Sequence, residues 1–287
     1  MIEVSHLTKQ FKKKTIIQDI TLSIDGGMVG LIGPNGAGKT TFMRMIAAVT
    51  KPSLGDITVN GHSINREATS IRKQIGYLPQ HFQLYPQLTV SQFLDYIGKL
   101  KKDRRFDYEM EKNRLLDILN LREQENQKIK TLSNGMKQRL GIAQALYGEP
   151  DVLIFDEPSA GLDPEERLRF RNLIADVSTR KTVILSTHIV EDIEASCDTL
   201  IVLNEGRIVF QGTPDELQSK GNGLIWEFKL IGDDWNQLSG MQMSLTQRSS
   251  DGLRCRVISP VAPFPFAQAV DPTLEEGYMA LIGCDDT

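Results

Sequence analysis

The stretch Met28–Thr41, MVGLIGPNGAGKTT, decides the fold. Its first part is a continuous apolar run, as in a strand buried on both faces of a parallel sheet. Its second part fits the phosphate-loop pattern in full, with Gly33, Gly36, Gly38, Lys39 and Thr40 at their places. The glycines let the backbone curl until its N–H groups face a phosphate. Lys39 then reaches the outer phosphates, and the Thr40 hydroxyl suits Mg²⁺. An ordinary glycine-rich turn is the competing reading, and it explains neither the strand before the loop nor the Lys-Thr pair after it.

Working outward, DVLIFDEP and TVILSTH are further continuous apolar runs, each followed by polar or helical sequence. That order predicts an α/β fold with a mostly parallel sheet and helices on its faces. DITLSID alternates at Ile20, Leu22 and Ile24, and with GDITVNG it predicts half-buried antiparallel strands. From Thr89 to Tyr147 the period becomes helical: Val90, Phe93, Leu94, Ile97 and Leu100 form one apolar face, and Leu115, Leu116, Ile118, Leu119 and Leu121 a second. This is expected to be a helical lobe, about 82–148, inserted into the sheet domain. Thr213-Pro214-Asp215-Glu216 has the form of a capping box with proline at the first helical position. KGNG, residues 220–223, reads as a linker. The expected division is residues 1–218 and a small C-terminal α+β accessory domain, 219–287, with short strands and a last helix near Thr273.

The chain has 287 residues, 40% of them hydrophobic, which is ample for a core without staples. Its formal charge of -4 gives no reason to expect a nucleic-acid partner. Cys197, Cys255 and Cys284 show neither pairing nor metal-ligand spacing, and read as reduced thiols of a cytosolic protein. The N-terminus lacks the charged start and apolar run of a signal peptide. No apolar stretch approaches the ~18 residues that span a bilayer.

Two more segments carry chemistry. In LIFDEP, Asp156 and Glu157 stand at a strand's end. Two such carboxylates usually form a solvated turn; beside a phosphate loop, Asp156 suits the shell of Mg²⁺ and Glu157 is a base for water. In TLSNGMKQRL, Ser133 and Gly135 sit where a helix starts, and a helix start is itself an anion site. One chain thus carries two phosphate-binding ends.

The order GPNGAGKT, GYLPQ, LSNGMKQR, LIFDEPSAGLD, STH resembles the ATPase subunit of an ATP-binding cassette (ABC) transporter, over about Met1 to Leu217. The resemblance implies a RecA-like phosphate-loop NTPase core with an antiparallel β subdomain. It implies ATP and Mg²⁺ as ligands, with ATP held by Gly33, Asn35, Gly36, Ala37, Gly38, Lys39, Thr40 and Thr41. Gln80 is similar to the glutamine that meets Mg²⁺ and water, so the implied metal set is Thr40, Gln80 and Asp156. The implied catalytic set is Glu157, His188 and Gln80, with His188 on the γ-phosphate; a lone histidine after a strand is also commonly structural. Phe11 matches the aromatic that stacks on adenine, though a core phenylalanine is the near rival. Asp163 resembles the loop that communicates across a dimer, and it also suits a helix N-cap before Pro164.

The second phosphate end resembles the family signature, usually LSGGQ, which closes over the γ-phosphate held by a partner's loop. The resemblance therefore implies a head-to-tail homodimer, or a heterodimer with a similar ATPase, with two ATP at the interface. Asn134 and Met136 depart from the signature; Met136 puts in doubt whatever hydrogen bond the usual glutamine makes. The family role is to drive a separate multi-span permease, in the direction of export, from the cytoplasmic face of the membrane. Phe82, Leu84 and Tyr85 either line the groove for a permease helix or pack a loop. Lys101, Lys102, Arg104 and Arg105 read as a solvated loop. The alternative is a soluble ABC ATPase acting in DNA repair or translation; the single cassette, the absence of a long coiled-coil insertion and the acidic charge disfavour it. A phosphate-loop kinase leaves LSNGMKQR unexplained, and a module that binds ATP without hydrolysis leaves Glu157 and His188 unexplained.

Overall fold

The computed structural model describes residues 1–101, 107–159, 162–187, 193–194, 196–230, 238, 240–249 and 252–283. They fall into two compact units, Met1–Gln211 and Gly212–Thr287. The division lies ahead of the expected 218/219. The short helix Pro214–Gln218 carries the capping box foreseen from sequence, and it belongs to the second unit. KGNG also lies within that unit, and Gly221 is buried where a side chain would strike Pro272.

The first unit holds two sheets. Strands β1 (Ile2–Phe11), β2 (Lys14–Ile24), β4 (Leu54–Val59) and β5 (His62–Ser63) form an antiparallel sheet in the order β2-β1-β4-β5. In β2 the predicted alternation is real, with Ile20, Leu22 and Ile24 all buried. The second sheet has the order β10-β9-β3-β8-β7-β6. Its strands are β3 (Met28–Ile32), β6 (Ile75–Leu78), β7 (Val152–Asp156), β8 (Thr182–Ser186), β9 (Thr199–Asn204) and β10 (Arg207–Gly212). β9, β3, β8, β7 and β6 run parallel. Every residue of β3, β7 and β8 is buried, which is why those three segments read as unbroken apolar runs.

The helical lobe contains α3 (Val90–Lys101), α4 (Tyr108–Ile118) and α5 (Asn134–Leu146). Val90, Phe93 and Leu94 are buried as expected, but Leu100 is 59% exposed near the end of α3. Lys112 of α4 is buried, and its ammonium lies 2.9 Å from both Asp95 and Glu109, so the buried charge is paired rather than orphaned. The fully buried Tyr147 donates its hydroxyl to the Tyr108 carbonyl at 2.9 Å. Burial, with Asp95 next among the causes, pushes that phenol up to about 12. We expect Tyr147→Phe to lower unfolding free energy by about 0.5–1.5 kcal/mol, read from urea midpoints, because it removes this hydrogen bond from a buried side chain. An unchanged midpoint would show that the bond contributes nothing net. Lys101 departs from the solvated reading: it is half-buried, and burial followed by the charge of Lys181 lowers its pKa. Lys102, Arg104 and Arg105 lie outside the described residues.

The second unit is an antiparallel sheet of β11 (Ile225–Leu230), β12 (Gln242–Ser249), β13 (Gly252–Ile258) and β14 (Gln268–Ala269), in the order β12-β13-β11-β14, with a closing helix Leu274–Gly283. Phe228, Leu253, Cys255 and Val257 centre its core. Thr273 caps the closing helix through a reciprocal pair of bonds with Glu276, and Glu276 also holds Arg256 at 2.9 Å.

Candidate active site

The sheet order places the motifs. β3, β8, β7 and β6 are neighbours and run the same way, so their carboxyl ends lie side by side. Those ends carry the loop 33–38, Thr187, the Asp156–Glu157 pair and Gln80, respectively. Open parallel sheets bind ligands at this edge.

The loop closes onto α1 (Lys39–Ile46). Gly33 has φ 153°, and a Cβ there would collide with the Leu203 carbonyl, so only glycine fits. Gly36 and Gly38 also have positive φ. Gly38 caps α1 without any side chain, and the first turn of α1 holds no acidic residue. The first N–H groups of the helix are thus left for an anion. Lys39 donates to the carbonyls of Gly33 (2.6 Å) and Pro34 (3.2 Å), which stand where a phosphate would compete for it. Burial lowers its pKa, while Glu157 and Asp156 pull it back up, so both carboxylates act electrically on this ammonium.

An open hollow of about 510 Å³ borders the loop, lined by Lys14, Ile16, Pro34, Asn35, Gly36 and Ala37 among others. Phe11 pairs with Lys14 across the β1–β2 hairpin and is half exposed, with the Lys9 ammonium 4.8 Å above its ring. It is not a core residue. A second hollow of about 260 Å³ is lined by Thr40, Arg44, Tyr77, Pro79 and Gln80, so the structure joins Thr40 to Gln80.

Asp156 is 1% exposed. One carboxylate oxygen accepts from the Ser186 hydroxyl at 2.7 Å; the other is buried without a partner among the described residues. Such an oxygen costs stability unless a cation or donor meets it. A bare carboxylate oxygen is the kind of donor that suits a hard cation. Glu157 has φ 53°, an uncommon value for a residue with a side chain. Its N–H donates to Ser186 at both the carbonyl (3.1 Å) and the hydroxyl (3.0 Å). The Tyr77 hydroxyl is buried; burial first, and then Asp156, raise its pKa far above the usual phenol range.

Ser133 caps α5, its hydroxyl accepting from the Met136 N–H at 3.2 Å. Asp163 caps α6 (Pro164–Ser178), accepting from the Glu166 N–H at 2.8 Å, with Pro164 in the first turn. The two helices meet at Glu166. Its carboxylate lies against Gly135, where a Cβ would push it aside, and pairs with Arg139 at 3.2 Å. Neither hollow beside the phosphate loop is lined by Ser133 or Gly135. His188 lies outside the described residues. Sequence reasoning missed Ser186, which faces Asp156 in the β7–β8 register, and Gln138, whose amide donates to the Pro158 carbonyl at 2.8 Å. STH flagged the segment for its histidine, and its serine passed as filler.

A phosphate loop after β3 and a carboxylate pair at the end of β7, parallel strands with β8 between them, are the marks of a phosphate-loop NTPase. The ABC transporter family model matches residues 17–160. The chain is 34% identical to the Nod factor export ATP-binding protein I of Ralstonia nicotianae, over 91% of this chain and 82% of that protein. The solved ATP-binding subunit of an ABC transporter is 31% identical, with a TM-score of 0.71 over 77% of this chain and 92% of that one. A dimeric ATP-binding cassette, solved in a post-hydrolysis state with ADP and Pi, is 26% identical, with a TM-score of 0.67 over 74% of this chain and 98% of that one. The chain belongs to the ABC transporter family, and it is an ATP-binding, ATP-hydrolysing subunit of that family.

Proposed function

We propose that this chain powers export through a separate multi-span permease, and that two copies, or one copy and a similar ATPase, close head to tail on two ATP. The observation that carries the reading is the convergence of Lys39, Thr40 and Gln80 with Asp156 and Glu157 at one sheet edge. Lys39 gives up its two loop carbonyls for the β- and γ-phosphates, and the residues from Gly33 and Asn35 to Thr41 surround them. Thr40, Asp156 and Gln80 would hold Mg²⁺, which would supply neutralisation of phosphate charge. Glu157 orients water and takes its proton; His188 contacts the γ-phosphate; Phe11 stacks on adenine. The Ser133–Gly135 helix end serves the partner's nucleotide, and Asp163, tied to the same helix through Glu166, carries the signal between subunits. The segment after Lys220 takes no part in this chemistry.

No helix among the described residues is long and apolar enough to cross a membrane, so attachment to the inner membrane face is assigned to the permease. A hollow of about 420 Å³, lined by Val49, Arg72, Lys73, Ile97, Leu100 and Lys101, offers the docking surface. Exposed Tyr85 stands at right angles to Tyr96 near it in sequence, whereas Phe82 packs inward against Gly141. Export is supported by the name of the Ralstonia relative, a Nod factor export protein. The test is co-expression with a multi-span membrane protein encoded beside this chain's gene, where one is found. The chain should sediment with membranes only when that protein is present; retention in the soluble fraction, with binding to nucleic acid instead, would favour the soluble alternative.

A further inference from the structure

We propose that Ser186 is a positioning residue that sets both acidic groups of the site at once. This rests on the reading of Asp156 as a metal-holding group. Ser186 is fully buried on β8, directly opposite Asp156 of β7. Its hydroxyl has one proton to donate, and gives it to one Asp156 oxygen at 2.7 Å. That bond fixes the rotation of the carboxylate, so the second, unpartnered oxygen is held in one direction. The same hydroxyl accepts from the Glu157 N–H at 3.0 Å, beside the Ser186 carbonyl at 3.1 Å. Glu157 sits at φ 53°, a conformation that persists only where its surroundings over-determine it. One oxygen therefore orients the metal-side carboxylate and supports the strained backbone that aims the base. An outer group that orients a ligating carboxylate typically changes metal affinity 10–100-fold when removed.

The test measures binding of a fluorescent ATP analogue to the whole chain as MgCl₂ is titrated, and again in EDTA. Ser186→Ala and the near-isosteric Ser186→Cys, a weak donor, are compared with Asp156→Asn. We expect both Ser186 variants to keep wild-type affinity in EDTA and to need roughly 10-fold more Mg²⁺ or above for half-maximal effect. Lost packing alone lowers melting temperature without moving the Mg²⁺ curve. Wild-type Mg²⁺ curves in both Ser186 variants, beside a shifted Asp156→Asn curve, would overturn the proposal alone. An unshifted Asp156→Asn curve would remove the reading of Asp156 and this proposal with it.

Discussion

Glu157→Gln is expected to keep ATP binding and to lose ATP turnover by ~10²–10⁴-fold, the usual contribution of a positioned general base. The substitution keeps the side chain's size and removes its capacity to accept a proton. The two bonds from the Glu157 N–H to Ser186 do not involve the side chain, so the substitution leaves them in place. Lys39 feels Glu157 as the larger of two favourable charges, so the variant also weakens the pull that keeps this half-buried ammonium protonated. Burial lowers the Lys39 pKa and the two carboxylates raise it; deleting one moves it further down, and ATP affinity should then fall earlier as pH rises. Turnover of the purified variant, with nucleotide affinity measured across pH, checks both parts. Near-normal turnover would take the catalytic role away from Glu157.

The phosphate loop was legible because its chemistry demands fixed residue types at fixed spacing, and Gly33 shows why: no side chain fits against the Leu203 carbonyl. The runs before Gly33 and Asp156, and the run ending at Ser186, were legible because strands buried on both faces have no polar positions to interrupt them. The caps at Ser133, Asp163 and Thr213 were legible because capping is local. What escaped depends on which elements become neighbours. Ser186 matters because β7 and β8 are adjacent in register, and Glu166 matters because α6 lies against α5 at Gly135. Neither adjacency is written at any one position. Lys101 was misread for the same reason: in sequence it heads a basic run, while in the fold it is half-buried with Lys181 nearby.

The central claim is that each ATP site is built from two chains, and two inactive variants test it. Lys39→Ala removes the loop's charge, and Ser133→Arg places a bulky cation where a small hydroxyl caps α5. In a mixed head-to-tail dimer both lesions fall in one site, and the other site has an intact Lys39 from one chain and an intact Ser133 from the other. Random assortment makes about half the dimers mixed, each with one sound site of two, so recovery is capped at roughly a quarter of wild-type turnover. The account predicts that each variant alone is inactive and that mixing restores ATPase activity toward this ceiling, with mixed dimers forming on ATP in a Glu157→Gln background. If mixing restores no activity and no mixed dimers form, each site is self-contained and the account is wrong.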